Sequence, residues 1–176
     1  MAEHDHAATP AWMAERAFPL RHMVPFILCH LAVLGALFTG VTWQAVVLCV
    51  VLYFVRMWGV TAGYHRYFSH RSFKTSRAFQ FVLAFIATSS AQKGVLWWAA
   101  HHRRHHKHSD QEGDVHSPVR EGFLWSHMGW LFVDGSEETD LDRIRDFAKY
   151  PELRFLHRFQ LLPPTLLALA CIAIEG

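Results

Sequence analysis

The sequence lacks the motifs of several common classes of protein. It has only three cysteines among 176 residues, and none forms a Cys-x-x-Cys pair, so a zinc finger or an iron–sulfur cluster is not supported. All three cysteines lie within apolar segments, where cysteine is typically a small buried residue. No glycine-rich dinucleotide fingerprint and no phosphate-binding loop occur. Any reductant that the protein uses is therefore expected to come from elsewhere.

Charged residues are almost absent from two adjacent stretches. Residues 23–41 are interrupted only by His30, and residues 42–60 carry Gln44 near one end and Arg56 near the other. Each stretch is close to the roughly 20 residues that a helix needs to cross a bilayer. We therefore predict an all-α integral membrane protein, with a transmembrane hairpin that turns near Thr39 and Gly40, followed by a cytosolic helical region.

This pattern divides the chain into four predicted segments. They are an N-terminal tail (1–22), the hairpin of two spans (23–60), a cytosolic and interfacial region (61–158) and the start of an incomplete third span (159–176). Within the third segment, residues 78–91 are apolar but too short for a span, which suits an interfacial or re-entrant helix. Residues 134–146 are acidic, with Leu141, Ile144 and Phe147 at helical spacing, which predicts a surface helix.

Basic residues predict how the chain is oriented in the membrane. The first twenty residues have no apolar core, so they are not a cleavable signal peptide. Arg16 and Arg21 precede the first apolar stretch, Arg66 and Lys74 follow the second, and the short turn between the stretches has no lysine or arginine. The positive-inside rule then places the N-terminus and the region after the hairpin on the cytoplasmic side.

Histidine is concentrated in that region, where nine of the 14 histidines fall between His65 and His127. An ideal helix turns about 100° per residue, so His102, His105 and His106 would share one face. Neutral imidazole is a common ligand for iron, zinc, copper and nickel. The alternative is a solvated basic patch for nucleic acid or lipid phosphate. We favour a metal site and predict no nucleic-acid partner.

A second pair of histidines strengthens this interpretation. His65 and His70 are five residues apart, so on a straight helix they would diverge by roughly 140°. They would then serve two different metal ions or lie where a helix ends. Imidazoles beside apolar helices at a membrane surface suggest a metal that acts on a lipid. If the target is a saturated acyl chain, its unactivated C–H bonds require chemistry that only the metal supplies.

These histidine segments carry a family resemblance. TAGYHRYFSHRSF (61–73) resembles the first histidine box of the membrane fatty acid desaturases of the delta-9 type, and HRRHHKHSD (102–110) with DVHSP (114–118) resembles their second. GFLWSHMGW (122–130) and YPELRFL (150–156) are similar to later signatures of that family. The resemblance covers roughly residues 58–164.

The resemblance implies a di-iron enzyme that uses O2 and two electrons to insert a cis double bond into a saturated acyl chain, at the delta-9 position. The substrate would be an acyl-lipid or an acyl-CoA, and the electrons would come from cytochrome b5, ferredoxin or a similar carrier. It implies that the iron ligands are His65, His70, His102, His105 and His106. It also implies that Gln92 and Trp98 shape the bend of an acyl tunnel. His116 and His127 are expected to have hydrogen-bonding roles, because metal-bound histidines need partners for their second nitrogen.

One departure from the family pattern limits these expectations. The family has a third histidine box after a second transmembrane hairpin, whereas this sequence ends at Gly176. The chain therefore resembles the N-terminal part of a desaturase, and residues 1–176 alone are expected to be inactive and to bind iron weakly or at one site. Two alternatives stay open: a related histidine-box membrane hydroxylase or oxygenase, and a non-catalytic membrane protein that binds a metal or haem.

Overall fold

The chain folds into helices, and the computed structural model describes residues 9–175, with no strand among them. Residues 1–8 of the predicted tail and Gly176 of the predicted third span lie outside the described residues. In chain order the helices are α1 (Trp12–Glu15), α2 (Leu20–Val33), α3 (Ala36–Thr39), α4 (Trp43–Trp58), a π-helix (Gly59–Ser69), α5 (Arg77–Thr88), α6 (Val95–His108), α7 (Pro118–Glu121), α8 (Phe123–His127), a 3₁₀-helix (Gly129–Phe132), α9 (Arg145–Ala148), α10 (Pro151–Arg158) and α11 (Leu162–Glu175). The predicted all-α class is confirmed.

Two helical runs are long and apolar enough to cross a membrane. They cover Leu20–Thr39, with 20 residues, and Trp43–Ser69, with 27. Between them Gly40 has a φ of +78°, in the region that glycine adopts at little cost. The second run continues nine residues beyond the predicted end of the span at Val60, because α4 passes directly into the π-helix.

A third candidate span is broken. Pro151–Arg158 and Leu162–Ile174 pass the same test together, but they are bent by 67° relative to each other. Pro163 and Pro164 lie in the first turn of α11, where a missing backbone N–H removes no hydrogen bond from the helix. The prolines are therefore compatible with the helix predicted from the third apolar stretch.

The described chain divides into two compact units. Among the described residues, the first unit consists of 9–40 together with Arg104–Glu138, and the second consists of Val41–Arg103 together with 139–175. The first unit is held by aromatic contacts. The Arg16 guanidinium lies 4.2 Å from the centre of the Trp125 ring, Trp125 Nε1 donates a hydrogen bond to the Val115 carbonyl at 2.9 Å, and the Phe26 and Phe132 rings are 5.0 Å apart.

The second unit contains the larger apolar core, which forms where the π-helix packs on α5. Two glycines allow this close approach. A Cβ atom at Gly59 would lie 2.7 Å from Ile86 Cγ2, and one at Gly63 would lie 3.1 Å from the Leu83 carbonyl oxygen. The core residues with no exposed surface include Tyr64, Phe68, Leu83, Val95, Leu96, Ile144 and Leu153.

The predicted surface helix over residues 134–146 is wrong. Most of this segment forms turns, and only Arg145–Ala148 is helical near its end. Asp140 Oδ1 accepts hydrogen bonds from the backbone N–H groups of Asp142 and Arg143, both at 3.1 Å, a turn that competes with helix formation. Ile144 and Phe147 are buried in the core of the second unit, so their spacing reflects burial rather than one face of a longer helix.

An ion pair around Asp146 fixes this turn segment to the rest of the second unit. The Arg103 guanidinium donates to both carboxylate oxygens, at 2.8 and 3.0 Å, and Arg71 Nε lies 3.0 Å from Oδ2. Burial alone would raise the pKa of Asp146, but the hydrogen bonds and charge of Arg103, together with the charge of Arg71, outweigh burial and lower that pKa. The ionised carboxylate therefore stabilises the folded state above the ordinary carboxyl pKa, and this stabilisation is lost as the pH falls through the lowered value.

We predict that Asp146→Asn destabilises the protein by about 2–3 kcal/mol at pH 7, because it leaves a largely buried guanidinium with a neutral partner. Thermal unfolding in detergent micelles measures the effect. Asp142→Asn is the matched control, since its side chain is 65% exposed in a surface pair with Arg145 and should cost only about 0.3–0.5 kcal/mol. The gap between the variants should narrow below pH 4, and equal unfolding of both variants at pH 7 would contradict the assignment.

Candidate metal centre

The π-helix brings the first two predicted ligands together. Its hydrogen bonds join residues five apart, and the His70 N–H donates to the His65 carbonyl at 3.1 Å. The helix ends at Ser69, so His70 is the first residue beyond it. The two imidazole rings are 4.5 Å apart. Of the two arrangements that the sequence left open, the structure has the histidines at a helix end, where they converge.

His102 of α6 completes a group of three imidazoles within the second unit. Its ring centre lies 4.7 Å from that of His65 and 5.3 Å from that of His70, and the Nε2 atoms of His70 and His102 are 3.3 Å apart. Two nitrogens that each lie about 2.0–2.1 Å from one metal ion in tetrahedral geometry are roughly 3.3–3.4 Å apart. One ring nitrogen from each of the three histidines lies within 4.8 Å of the other two, so the group fits a metal ion that is bound by one nitrogen of each ring.

The remaining two predicted ligands follow on the same helix. His106 lies four residues after His102 on α6, so both belong to one face of the helix. His105 belongs to the first unit, where its Nδ1 lies 3.1 Å from both carboxylate oxygens of Asp114. His116 Nδ1 lies 3.0 Å from Asp114 Oδ1, and the rings of His105 and His116 are 4.4 Å apart.

Asp114 is built as a hydrogen-bond acceptor. Its side chain has no exposed surface, and it also accepts from the backbone N–H groups of Asp110 and His116, at 3.0 and 3.2 Å. These contacts and the two imidazoles occupy the roughly four lone-pair sites of a carboxylate. Burial alone would raise the pKa of Asp114, but these hydrogen bonds outweigh it and lower that pKa to about 2.

The carboxylate of Asp114 sets the tautomers of two imidazoles. A histidine that donates its Nδ1–H to a carboxylate presents Nε2 as its acceptor or metal-binding atom. Burial lowers the pKa of His116, and the contact with Asp114 only partly offsets this, which favours the neutral ring. The hydrogen-bonding role predicted for His116 is thus present in the structure. His127 is exposed, and its ring stacks on Phe123 at 5.3 Å.

Arg103, which lies on α6, connects the end of the π-helix to α6 and to the segment around α9. Its side chain is 12% exposed, and its guanidinium makes five hydrogen bonds, which matches the five donors of arginine. Two of these bonds go to the carbonyls of the last two residues of the π-helix, Phe68 at 2.6 Å and Ser69 at 3.1 Å. The others go to the Arg143 carbonyl at 3.0 Å and to both oxygens of Asp146. The residue next to His102 therefore fixes the end of the helix that carries His65.

The two predicted substrate residues lie in different surroundings. The Trp98 ring stacks on His102, with ring centres 4.7 Å apart, and on Tyr64 at 5.3 Å. Gln92 is exposed in the loop between α5 and α6. Its neighbours Ala91 and Lys93 have φ values of +60° and +67°, a left-handed conformation that is strained for residues other than glycine.

Arg103 and Asp114 were not identified from the sequence as parts of the site. Both were visible as polar residues in or near the second box, but nothing in their spacing distinguishes a buried arginine or carboxylate from a solvated one. Only the fold shows that Arg103 donates to the last carbonyls of the π-helix and that Asp114 accepts hydrogen bonds from two imidazoles.

Comparisons with known proteins identify relatives of this chain. Residues 41–174 match the family model described as fatty acid desaturase. The sn-1 stearoyl-lipid 9-desaturase of Anabaena variabilis is 34% identical over 81% of this chain and 54% of its own length. The acyl-CoA Delta(11) desaturase of Choristoneura rosaceana is 36% identical over 78% of this chain and 43% of its own.

A plant relative shows a third specificity. The chloroplastic palmitoyl-monogalactosyldiacylglycerol delta-7 desaturase of Arabidopsis thaliana is 35% identical over 76% of this chain and 37% of its own length. The chain therefore spans about half the length, or less, of these curated relatives. Their names differ in the acyl carrier and in the position of the double bond.

We predict that Arg103→Lys loosens the end of the π-helix. A lysine ammonium has three donors on one nitrogen, so it cannot satisfy acceptors that surround a planar fork. Hydrogen exchange of the backbone N–H groups of His70, Arg71 and Ser72 should accelerate about ten- to a hundredfold, because each lost charged hydrogen bond contributes about 1.5–3 kcal/mol. Arg145→Lys, at a side chain that is 76% exposed, is the control and should exchange like the wild type. Equal rates in both variants would show that Arg103 does not hold this segment.

Proposed function

The chain belongs to the fatty acid desaturase family, and we propose that it supplies the first two histidine boxes of an iron site that desaturates a membrane-bound acyl chain. The observation that carries the proposal is the 3.3 Å approach of the Nε2 atoms of His70 and His102. An imidazole at the end of the π-helix and one from α6 meet at the spacing of ligands on one metal ion, within a sequence that matches the family.

The proposed ligands of two iron ions are His65, His70, His102, His105 and His106. Iron, when bound, supplies the activation of O2 that oxidation of an unactivated C–H bond requires. The residues of the chain hold and orient the metal. Arg103 fixes the segment before His70, and Asp114 holds the tautomer of His105 through Nδ1. Metal-bound histidines commonly rely on such partners.

Trp98 is proposed to form a wall of the acyl site. Its stacking on His102 places a large apolar surface beside a proposed ligand, where a methylene group has to be held and water excluded. Gln92 is proposed to contact the acyl chain from the neighbouring loop. The left-handed residues on either side of it support a constrained role, since strained backbone often lies at functional sites.

The substrate is proposed to be an acyl-lipid or acyl-CoA that receives a cis double bond at the delta-9 position. The name of one relative supports this position, because the Anabaena relative is named sn-1 stearoyl-lipid 9-desaturase. Electrons are proposed to come from an external carrier such as cytochrome b5 or ferredoxin. The multi-pass topology with cytoplasmic histidine boxes stays a prediction that rests on the basic residues that flank the apolar stretches.

Metal binding tests the proposed ligands directly. The purified chain is titrated with Fe²⁺ without oxygen, and with Co²⁺, whose absorption spectrum reports nitrogen coordination. We expect His70→Ala and His102→Ala to weaken binding by at least a hundredfold, and Asp114→Asn to weaken binding at His105 by about ten- to a hundredfold. His127→Ala, which removes an exposed imidazole stacked on Phe123, is the control. Unchanged binding by His102→Ala would refute the site, provided that circular dichroism shows an intact fold.

The reaction is tested in a chimera. Residues 1–176 replace the matched part of the Anabaena relative, and the chimera is expressed in a host that supplies saturated acyl lipids and an electron donor. Mass spectrometry of the fatty acids should detect a monounsaturated chain with its double bond at carbon 9, which His102→Ala should abolish. Residues 1–176 alone should give no product, because five imidazoles are too few for two iron ions. A hydroxylated product would contradict desaturation, and a double bond elsewhere would contradict the delta-9 assignment.

A further inference from the structure

An open cavity of about 300 Å³ lies between three helices of the second unit. Residues 52–56 of α4, 85–89 at the end of α5 and 163–170 of α11 line it. Its volume is at the lower end of the about 300–1,000 Å³ of small-molecule sites, enough for part of an acyl chain. None of its lining residues is Trp98, Gln92 or one of the five box histidines, so this cavity is lined independently of the candidate metal centre.

The lining changes from polar to apolar along the helices. Arg56 and Ser89 are the only polar residues that line the cavity in the described chain. Arg56 lies in the last turn of α4, and Ser89 directly follows α5. Leu52 lies one turn deeper in α4. Ala170 lies about two turns beyond Pro163, which starts the lining on α11. The cavity thus carries its one charge at the end formed by Arg56 and Ser89, its mouth. It is apolar along the rest of its length, where Leu166 and Ala170 are exposed.

The guanidinium of Arg56 is poorly satisfied at this mouth. Its Nη2 donates to the Ser90 carbonyl at 3.4 Å, which is at the outer limit of a hydrogen bond. Its Nε is buried and has no hydrogen-bond partner among the described residues. Arginine carries five donors and a full positive charge, so a half-buried guanidinium with a buried, unpartnered Nε is unfavourable unless a ligand supplies acceptors.

We propose that this cavity binds one phospholipid with an anionic head group, whose phosphate pairs with Arg56 and whose acyl chain lies against Leu52, Leu166 and Ala170. A phosphate supplies the negative charge that the mouth lacks and acceptors that match the planar donor fork of arginine. An anionic head group leaves that charge to Arg56, whereas the ammonium of phosphatidylcholine neutralises it within the lipid. The occupant is a lipid because α4 belongs to a candidate span and lipid is the medium that surrounds such a helix. This site is additional to the proposed acyl site beside Trp98.

Residues 1–176 are reconstituted in nanodiscs that contain equal amounts of phosphatidylglycerol and phosphatidylcholine, and native mass spectrometry then counts the lipids that stay bound. We expect one retained phosphatidylglycerol per wild-type chain, with at least a tenfold preference over phosphatidylcholine. Arg56→Gln should abolish the preference. Ala170→Phe should displace the lipid by filling the interior while Arg56 keeps its charge. Lys74→Gln, which removes an exposed positive charge outside the cavity, is the control and should behave as the wild type.

The outcomes distinguish one specific lipid-binding site from the nonspecific shell of lipid around a membrane span. Equal retention of the two lipids by the wild type would overturn the proposal, since it would indicate only the shell of lipid around any span. Absence of a retained lipid would also overturn it and would mean that the cavity is empty or filled by protein. Retention by Ala170→Phe equal to that of the wild type would place the lipid elsewhere. Circular dichroism of each variant verifies that the helices are intact, and iron binding should not change in Arg56→Gln.

Discussion

The five hydrogen bonds of Arg103 are the interaction on which the rest of the second unit depends. One guanidinium connects the last carbonyls of the π-helix, the Arg143 carbonyl and the Asp146 carboxylate. A helix end normally leaves carbonyls that need partners, and here a side chain from α6 supplies them. Arg103 directly follows His102 in the chain. Its hydrogen bonds to the last carbonyls of the π-helix therefore also set the distance between the π-helix, which carries His65, and α6, which carries His102.

The π-helix explains why the first box is spaced as it is. In an α-helix, ligands that converge on one face are three or four residues apart, and a spacing of five would separate them. The i→i+5 bond between His70 and His65 and the end of the helix at Ser69 remove this conflict. Gly59 and Gly63 let the same wide helix approach α5, so the winding that suits the histidines also fits the core.

The sequence was sufficient to predict the features that depend on composition along the chain. The apolar runs at 23–41 and 42–60 predicted two helices, which the structure has at Leu20–Thr39 and Trp43–Ser69. The excess of imidazole predicted the segments from which three histidine rings converge. The sequence was insufficient where tertiary contacts decide the outcome. Ile144 and Phe147 have helical spacing, yet the turn at Asp140 prevents the predicted helix, and their burial in the core maintains the irregular backbone. The roles of Arg103 and Asp114 depend on residues that are distant in the sequence or folded back by a loop, and no periodicity encodes them.

The helical run Trp43–Ser69 lines the cavity at Arg56 and also carries a proposed metal ligand, His65. Arg56 lies near the end of α4, and the helix continues without interruption through Gly59 and Gly63 to His65. Displacement of α4 at the cavity would therefore move the π-helix, and movement at that level is opposed by the tight contacts of both glycines with α5 and by Arg103 at the helix end. The position of the first histidine box is thus determined by contacts that begin at Gly59 and end at Arg103, and not only by residues that surround the imidazoles. A lipid bound at Arg56 would contact the run on the N-terminal side of these restraints, so its loss leaves the histidine box in place.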